Sequence, residues 1–332
     1  MRRAPEAARF GATELTEEQS GTLRRAVRLE WTTIGVLVLI IAAVGLVAGQ
    51  SQAMRTAWVE DMLSLLPPIA FLVAARLARR PPTARHPYGY HRAVGVGHLV
   101  AAVALLGMGA SLVADAGTAL LTGDRPPIGV LTVLGVPVWA GWPMVAVMVA
   151  SSIPPVVLGR MKTKLAEQLH DKVLFADADM NKADWMTGLA TAAGVLGIGM
   201  GLWWADAVAA LVVSTSIVAD GVSNLRGSVA DLMDSRATTY DDAVPHPLIQ
   251  EVETVLRQQP WVLDVGVRVR DEGHVFHVEG FLVPVAGALP TLDQLAAARR
   301  RCTDLDWKIQ DVVLAPVAEL PEDQVPRRTD AR

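Results

Sequence analysis

Phe175-Ala-Asp177-Ala-Asp179-Met180-Asn181-Lys182-Ala-Asp184-Trp185 lies inside an otherwise apolar run over residues 173–203. About 20 apolar residues cross a bilayer core, and a charge left there costs roughly 2.5–3.5 kcal/mol even on lenient insertion scales, so acids in such a run need a compensating partner. At about 100° per residue, with Asp177 at zero, Asn181 falls near 40°, Asp184 near −20° and Met180 near −60°, so four donor side chains share one helical face. Gly188 and Thr191 continue that stripe, while Asp179 and Lys182 point elsewhere and stand close enough to pair with each other.

Five more runs of spanning length flank this one, over residues 31–48, 57–77, 94–121, 138–158 and 205–222. The second reads Ala57-Trp-Val-Glu60-Asp61-Met-Leu-Ser64-Leu-Leu-Pro67-Pro68, and Glu60, Asp61 and Ser64 fall within an arc of about 100°. Pro67 and Pro68 lack an N–H, which frees the carbonyls of Leu63 and Ser64 to turn toward a cavity. A divalent cation is the natural partner for this many buried acids, since carboxylate, amide and carbonyl oxygens suit hard or borderline ions and the Met180 thioether tilts toward softer ones. The competing reading makes Asp179 with Lys182, and Arg55 with Glu60 or Asp61, ion pairs at helix ends.

Composition agrees with a membrane chain. Of 332 residues, 52% are hydrophobic and 19% charged, more apolar than a soluble protein of this size. A net charge of −4 gives no basic field for nucleic acid, and the single Cys302 excludes internal disulfides and cysteine-rich zinc clusters. Thirty residues, mostly polar, precede the first apolar run, which reads against a cleaved leader. Lys and Arg in the N-terminal tail and in the second-to-third and fourth-to-fifth connections number fifteen, against Arg55 and Arg125 on the other side. That bias predicts both termini in the cytoplasm.

Beyond residue 245 the pattern is that of a small soluble domain. Leu248, Val252, Val255 and Leu256 recur at helical spacing, and Leu263, Val265, Val267 and Val269 alternate with polar positions as a half-buried strand does. A turn at Asp271-Glu272-Gly273 leads to a second strand over 275–283, then a helix with Leu292, Leu295 and Ala296 apolar, then a strand over 309–314. The predicted organisation is a tail (1–30), a six-helix transmembrane domain (31–225), a cytoplasmic α-β-β-α-β domain (245–318) and a loose tail (319–332).

Three stretches resemble the cation diffusion facilitator family of divalent-metal transporters: Arg85-His86-Pro87-Tyr88-Gly89-Tyr90-His91-Arg92-Ala93, Gly201-Leu-Trp203-Trp204-Ala205-Asp206, and Leu232-Met233-Asp234. The resemblance covers roughly residues 25–318. It implies an α-helical membrane protein with six spans followed by a ferredoxin-like α+β domain, working as a homodimer in the cell inner membrane. By spacing, the family's tetrahedral transport site falls on Glu60 and Ser64 of the second span and on Met180 and Asp184 of the fifth; Ser64 and Met180 depart from its usual residues. Asp61, Asp177 and Asn181 are the neighbours that complete a different, oxygen-rich set, which favours iron, manganese or cobalt relative to zinc.

The mechanism implied is proton-coupled export without a tightly bound cofactor, the divalent metal ion being substrate. No phosphate-binding loop or nucleophile–base pair is visible, which reads against a pump driven by ATP and against an enzyme. Further metal candidates are His86 and His91 in the loop and His277 and Glu279 on one strand face. The alternative function is a transport-inactive membrane metal sensor or scaffold with the same fold.

Overall fold

The computed structural model describes residues 15–48, 61–123, 129–133, 136–287 and 289–324. Two compact units divide the chain, one of 21–74 with 96–229, the other of 1–20, 75–95 and 230–332.

The first unit is helical. Helix α1 (Glu17–Ala48) starts within the sequence tail, because Leu23, Ala26 and Leu29 recur every third residue and are buried. Residues 61–63 are helical, Ser64 and Leu65 form a turn, and α2 (Leu66–Ala78) follows. Pro67 and Pro68 sit in the first turn of α2, where a missing N–H costs nothing, and the chain breaks just ahead of them. Helix α3 (Ala93–Thr122) is followed by a short antiparallel hairpin, β1 (Val130–Val133) with β2 (Val136–Trp139). The fourth apolar run therefore gives its first residues to a strand.

Helix α4 (Gly141–Leu169) then outlasts its apolar stretch. It runs through Pro154 and Pro155 and ends on His170, whose φ of 48° is left-handed. Asp171 caps α5 (Lys172–Gly199) by accepting from the Leu174 N–H at 3.0 Å. What the sequence presents as a charged connection is thus two residues long, and Lys162 belongs to a helix. Gly201, at φ 89°, turns the chain into α6 (Ala205–Leu232).

Among the described residues, four helical segments are long and apolar enough to cross a membrane: Asp61–Ala78, Ala93–Thr122, Gly141–Leu169 and Ala205–Leu232. Helix α5 has 28 residues but carries Asp177, Asp179, Lys182 and Asp184. Small residues set the close approaches. A Cβ at Gly109 of α3 would stand 2.9 Å from Val218 of α6, and one at Gly221 2.8 Å from Leu106, whereas Gly107 and Gly117 meet nothing within 4 Å.

In the second unit, α7 (Leu248–Arg257), β3 (Val262–Asp271), β4 (Phe276–Pro284), α8 (Leu292–Thr303) and β5 (Ile309–Pro316) follow in order. The sheet order is β3-β4-β5, with β3 and β4 antiparallel and β4 and β5 parallel. Val265, Val267, Val269, Phe276, Val278 and Leu282 form the core with Leu248, Val252 and Leu256 of α7. Leu263, expected among them, is 64% exposed because the register slips between Val262 and Asp264 and turns Val262 inward instead. In α8, Leu292 is exposed, and Ala298 and Cys302 make the buried face.

Burial pushes the Cys302 thiol up to about 11, so at pH 8 roughly one molecule in a thousand is thiolate. Maleimide labelling of the native protein at that pH should therefore be slow and should become fast on denaturation; rapid native labelling contradicts the packing described for α8.

Candidate metal centre

Helix α5 and the break before α2 bring the second and fifth apolar runs together. The Ser64 hydroxyl donates to Asp184 Oδ1 at 2.9 Å across 120 residues of sequence. Ser64 is buried and Asp184 half-buried. A turn rather than a continued helix at Ser64 is what the two prolines impose, so the residues that interrupt the span also shape the side chain's position. Asp61, half-buried, lies three residues earlier, in the helical stretch that ends at Leu63. The oxygens of Ser64 and Asp184 therefore meet. Glu60 lies outside the described residues.

The stripe read on α5 does not face one partner. Asp177 Oδ2 accepts from Lys162 Nζ at 2.7 Å, and the same ammonium stands 3.1 Å from Glu30 Oε2. All three side chains are 0–1% exposed. Two carboxylates thus share one cation with no water contact, on α1, α4 and α5. Asn181 donates to the Asp177 carbonyl at 2.8 Å, and its Cβ packs where Gly159 leaves room on α4. Met180 is buried in an apolar cluster with Ala104, Leu105 and Met108 of α3 and Ile217 of α6, so hydrocarbon surrounds it. Of the four α5 positions, Asp184 is the one that meets Ser64.

The other side of α5 carries a second polar group. Lys182 pairs with Asp220 of α6 at 2.6 Å rather than with Asp179. Asp179 accepts from Asn224 at 2.9 Å, and Asn224 Oδ1 lies 3.2 Å from His98 Nε2, so His98 of α3 is engaged. One helical turn of α6 separates Asp220 from Asn224, which is why two neighbouring α5 residues find partners there. Glu30, Lys162, Asp220 and Asn224 escape sequence reading because their partners are remote in the chain.

In the second unit two of the resembling stretches meet. Arg92 donates to the Asp231 carbonyl at 2.7 Å and to the Asp234 carboxylate, and lies 3.9 Å from Glu272. His86 is exposed with its ring 4.5 Å from that of Tyr90, while His91 is buried. His277 Nε2 stands 3.5 Å from Glu279 Oε1. Among the described residues, His86, His91, His277 and Glu279 fall in no group of three potential ligands.

The model of the cation efflux transmembrane domain matches residues 31–233, which hold Asp61, Ser64 and Asp184 alike. The chain belongs to the cation efflux family. It is 23% identical over 182 residues to the manganese efflux system protein MneS of Bacillus subtilis, covering 54% of this chain and 59% of that protein. The match to the manganese efflux system protein MneP of the same organism is 25% over 251 residues, 73% of this chain and 77% of that one. A probable cation efflux system protein of Mycobacterium tuberculosis is 24% identical over 302 residues, 90% of this chain and 82% of that one. The matched region thus spans about three fifths of the length of MneS. Within the cation efflux family, this member brings to its second and fifth apolar runs a hydroxyl and carboxylates, a hard oxygen set.

Proposed function

We propose that this member of the cation efflux family is a proton-coupled exporter of divalent transition metal cations, with manganese, iron and cobalt ahead of zinc. The observation that carries the reading is the Ser64–Asp184 hydrogen bond of 2.9 Å, which joins the two elements where acids interrupt apolar sequence. Asp184 is the principal ligand, with Asp61 and Ser64 beside it and Glu60 added by its place in the sequence. Asp177 and Asn181, turned toward α4, and Met180, in the α3–α6 cluster, are the further candidates on α5.

Carboxylates bind a metal ion only when deprotonated, so loading the site releases protons and reprotonation on the far side displaces the ion. The oxygen-rich donor set supports the harder ions of the series, and relatives named as manganese efflux proteins support the same choice. Six spans, both termini in the cytoplasm, residence in the inner membrane and a homodimer with a cytoplasmic α-β-β-α-β domain complete the proposal.

Purified protein reconstituted in vesicles with a pH-sensitive dye inside tests it. An inward manganese gradient is expected to drive outward proton movement at a rate that saturates with the ion. Metal binding at equilibrium with no flux in either direction assigns the protein instead to the sensor or scaffold reading, which the engagement of Asp177 by Lys162 would then explain.

A further inference from the structure

The face of the sheet opposite α7 and α8 carries a cavity of about 550 Å³ whose lining includes Arg236, Arg268, Arg270 and His277. Strand register puts three of these in a row. Arg236 bridges to Arg270 at the edge of β3, and Arg270 stands directly opposite His277 on β4. Side chains of paired residues point to the same face, so Arg236, Arg270 and His277 lie side by side on neighbouring strands about 4.8 Å apart.

Asp234 receives Arg92 and lies 3.6 Å from Arg270, which also stands 3.2 Å from Glu272. Asp323 holds Arg268 through both nitrogens of a guanidinium fork, and this contact keeps the Asp323 carboxyl well below the usual carboxylate range. Glu279 lies 3.9 Å from Arg268 and 3.5 Å from His277 Nε2. Every acid in the lining therefore already faces a cation. What remains is Arg236, with no ion pair among the described residues, and Nδ1 of His277, which is 4% exposed and has no hydrogen-bond partner.

A divalent cation at His277 and Glu279 would sit among three guanidiniums, each repelling it, and would have to take Glu279 from its present neighbours. An oxyanion suits the site better. Its charge offsets the unpaired Arg236, its several oxygens suit the planar forks of Arg236 and Arg270, and the unpartnered Nδ1 of His277, whose Nε2 stands 3.5 Å from Glu279 Oε1, offers it an N–H donor. The volume is of the order that small-molecule sites occupy. We propose that this pocket binds a phosphate-type oxyanion, contacted by Arg236, Arg270 and His277, and that it is not a metal site. The inference is independent of the transport reading.

Calorimetric titration of pyrophosphate into the full-length protein in nanodiscs of zwitterionic lipid tests it. Saturable binding is expected, weakened at least tenfold in both Arg236→Gln and His277→Gln, with Asp184→Asn unchanged. A parallel titration in discs containing phosphatidic acid separates the two sources of the anion: loss of the pyrophosphate heat there assigns the pocket to a lipid headgroup, and its retention assigns it to a soluble phosphate compound. Absence of binding in zwitterionic discs, wild-type affinity in Arg236→Gln, or manganese binding that His277→Gln abolishes and Asp184→Asn leaves intact each overturns the proposal.

Discussion

Asp184→Asn should lose metal flux by more than about 100-fold while the helices around it stay in place. Outer partners of a metal ligand already cost 10–100-fold when removed, so the loss of a ligand's own charge stands at or beyond the upper end of that range. The fold should tolerate the change because the asparagine Oδ1 can still accept from Ser64 and the side chain keeps its size. Transport and metal-driven proton movement in vesicles give the first readout, and thermal unfolding in detergent gives the second. A variant that unfolds at the wild-type temperature and still moves manganese at the wild-type rate removes Asp184 from the site.

The second large effect is on stability. Lys162→Met strands Glu30 and Asp177, two carboxylates with no solvent contact, beside a methyl group. Removing one partner of a buried ion pair costs about 3–5 kcal/mol, and for a helical unit of this size that corresponds to a fall on the order of 10 °C in the unfolding midpoint. Neutralising the acids as well should recover most of it: the triple variant Lys162→Met, Glu30→Gln, Asp177→Asn leaves nothing charged to desolvate. An unchanged midpoint in Lys162→Met alone would show that water reaches the triad.

Four of the chain's apolar runs were legible as spanning helices because hydrocarbon thickness imposes their length, and the small domain because strand alternation and helical spacing recur from Leu248 onward, with Leu263 and Leu292 the exceptions. Limits of the elements were less so. Val136, Val138 and Trp139 are as apolar as a span and hide a hairpin at its start. Lys162 reads like any basic residue between spans, since the pattern carries no trace of Glu30, 132 positions away in the sequence. Around the candidate site, periodicity put Asp177, Met180, Asn181 and Asp184 on one face, but an arc says which way side chains leave the helix and not which neighbour receives them. Helix α4 takes Asp177, the α3 and α6 cluster takes Met180, and the broken second span takes Asp184. The juxtaposition of Ser64 with Asp184 entered through family resemblance, because nothing in local sequence pairs a serine with an aspartate 120 residues on.

The joint at His170 and Asp171 leaves no slack. Two residues, one in a left-handed turn and the other spent on a cap, fasten α4 to α5, and Lys162 of α4 is held by Asp177 of α5 and by Glu30 of α1. Helices joined in this way resist moving apart, so a rearrangement at the site falls more readily on the turn at Ser64 and Leu65 ahead of Pro67. An ion leaving Asp184 would then be freed by a change at that turn, with α4 and α5 unmoved with respect to each other.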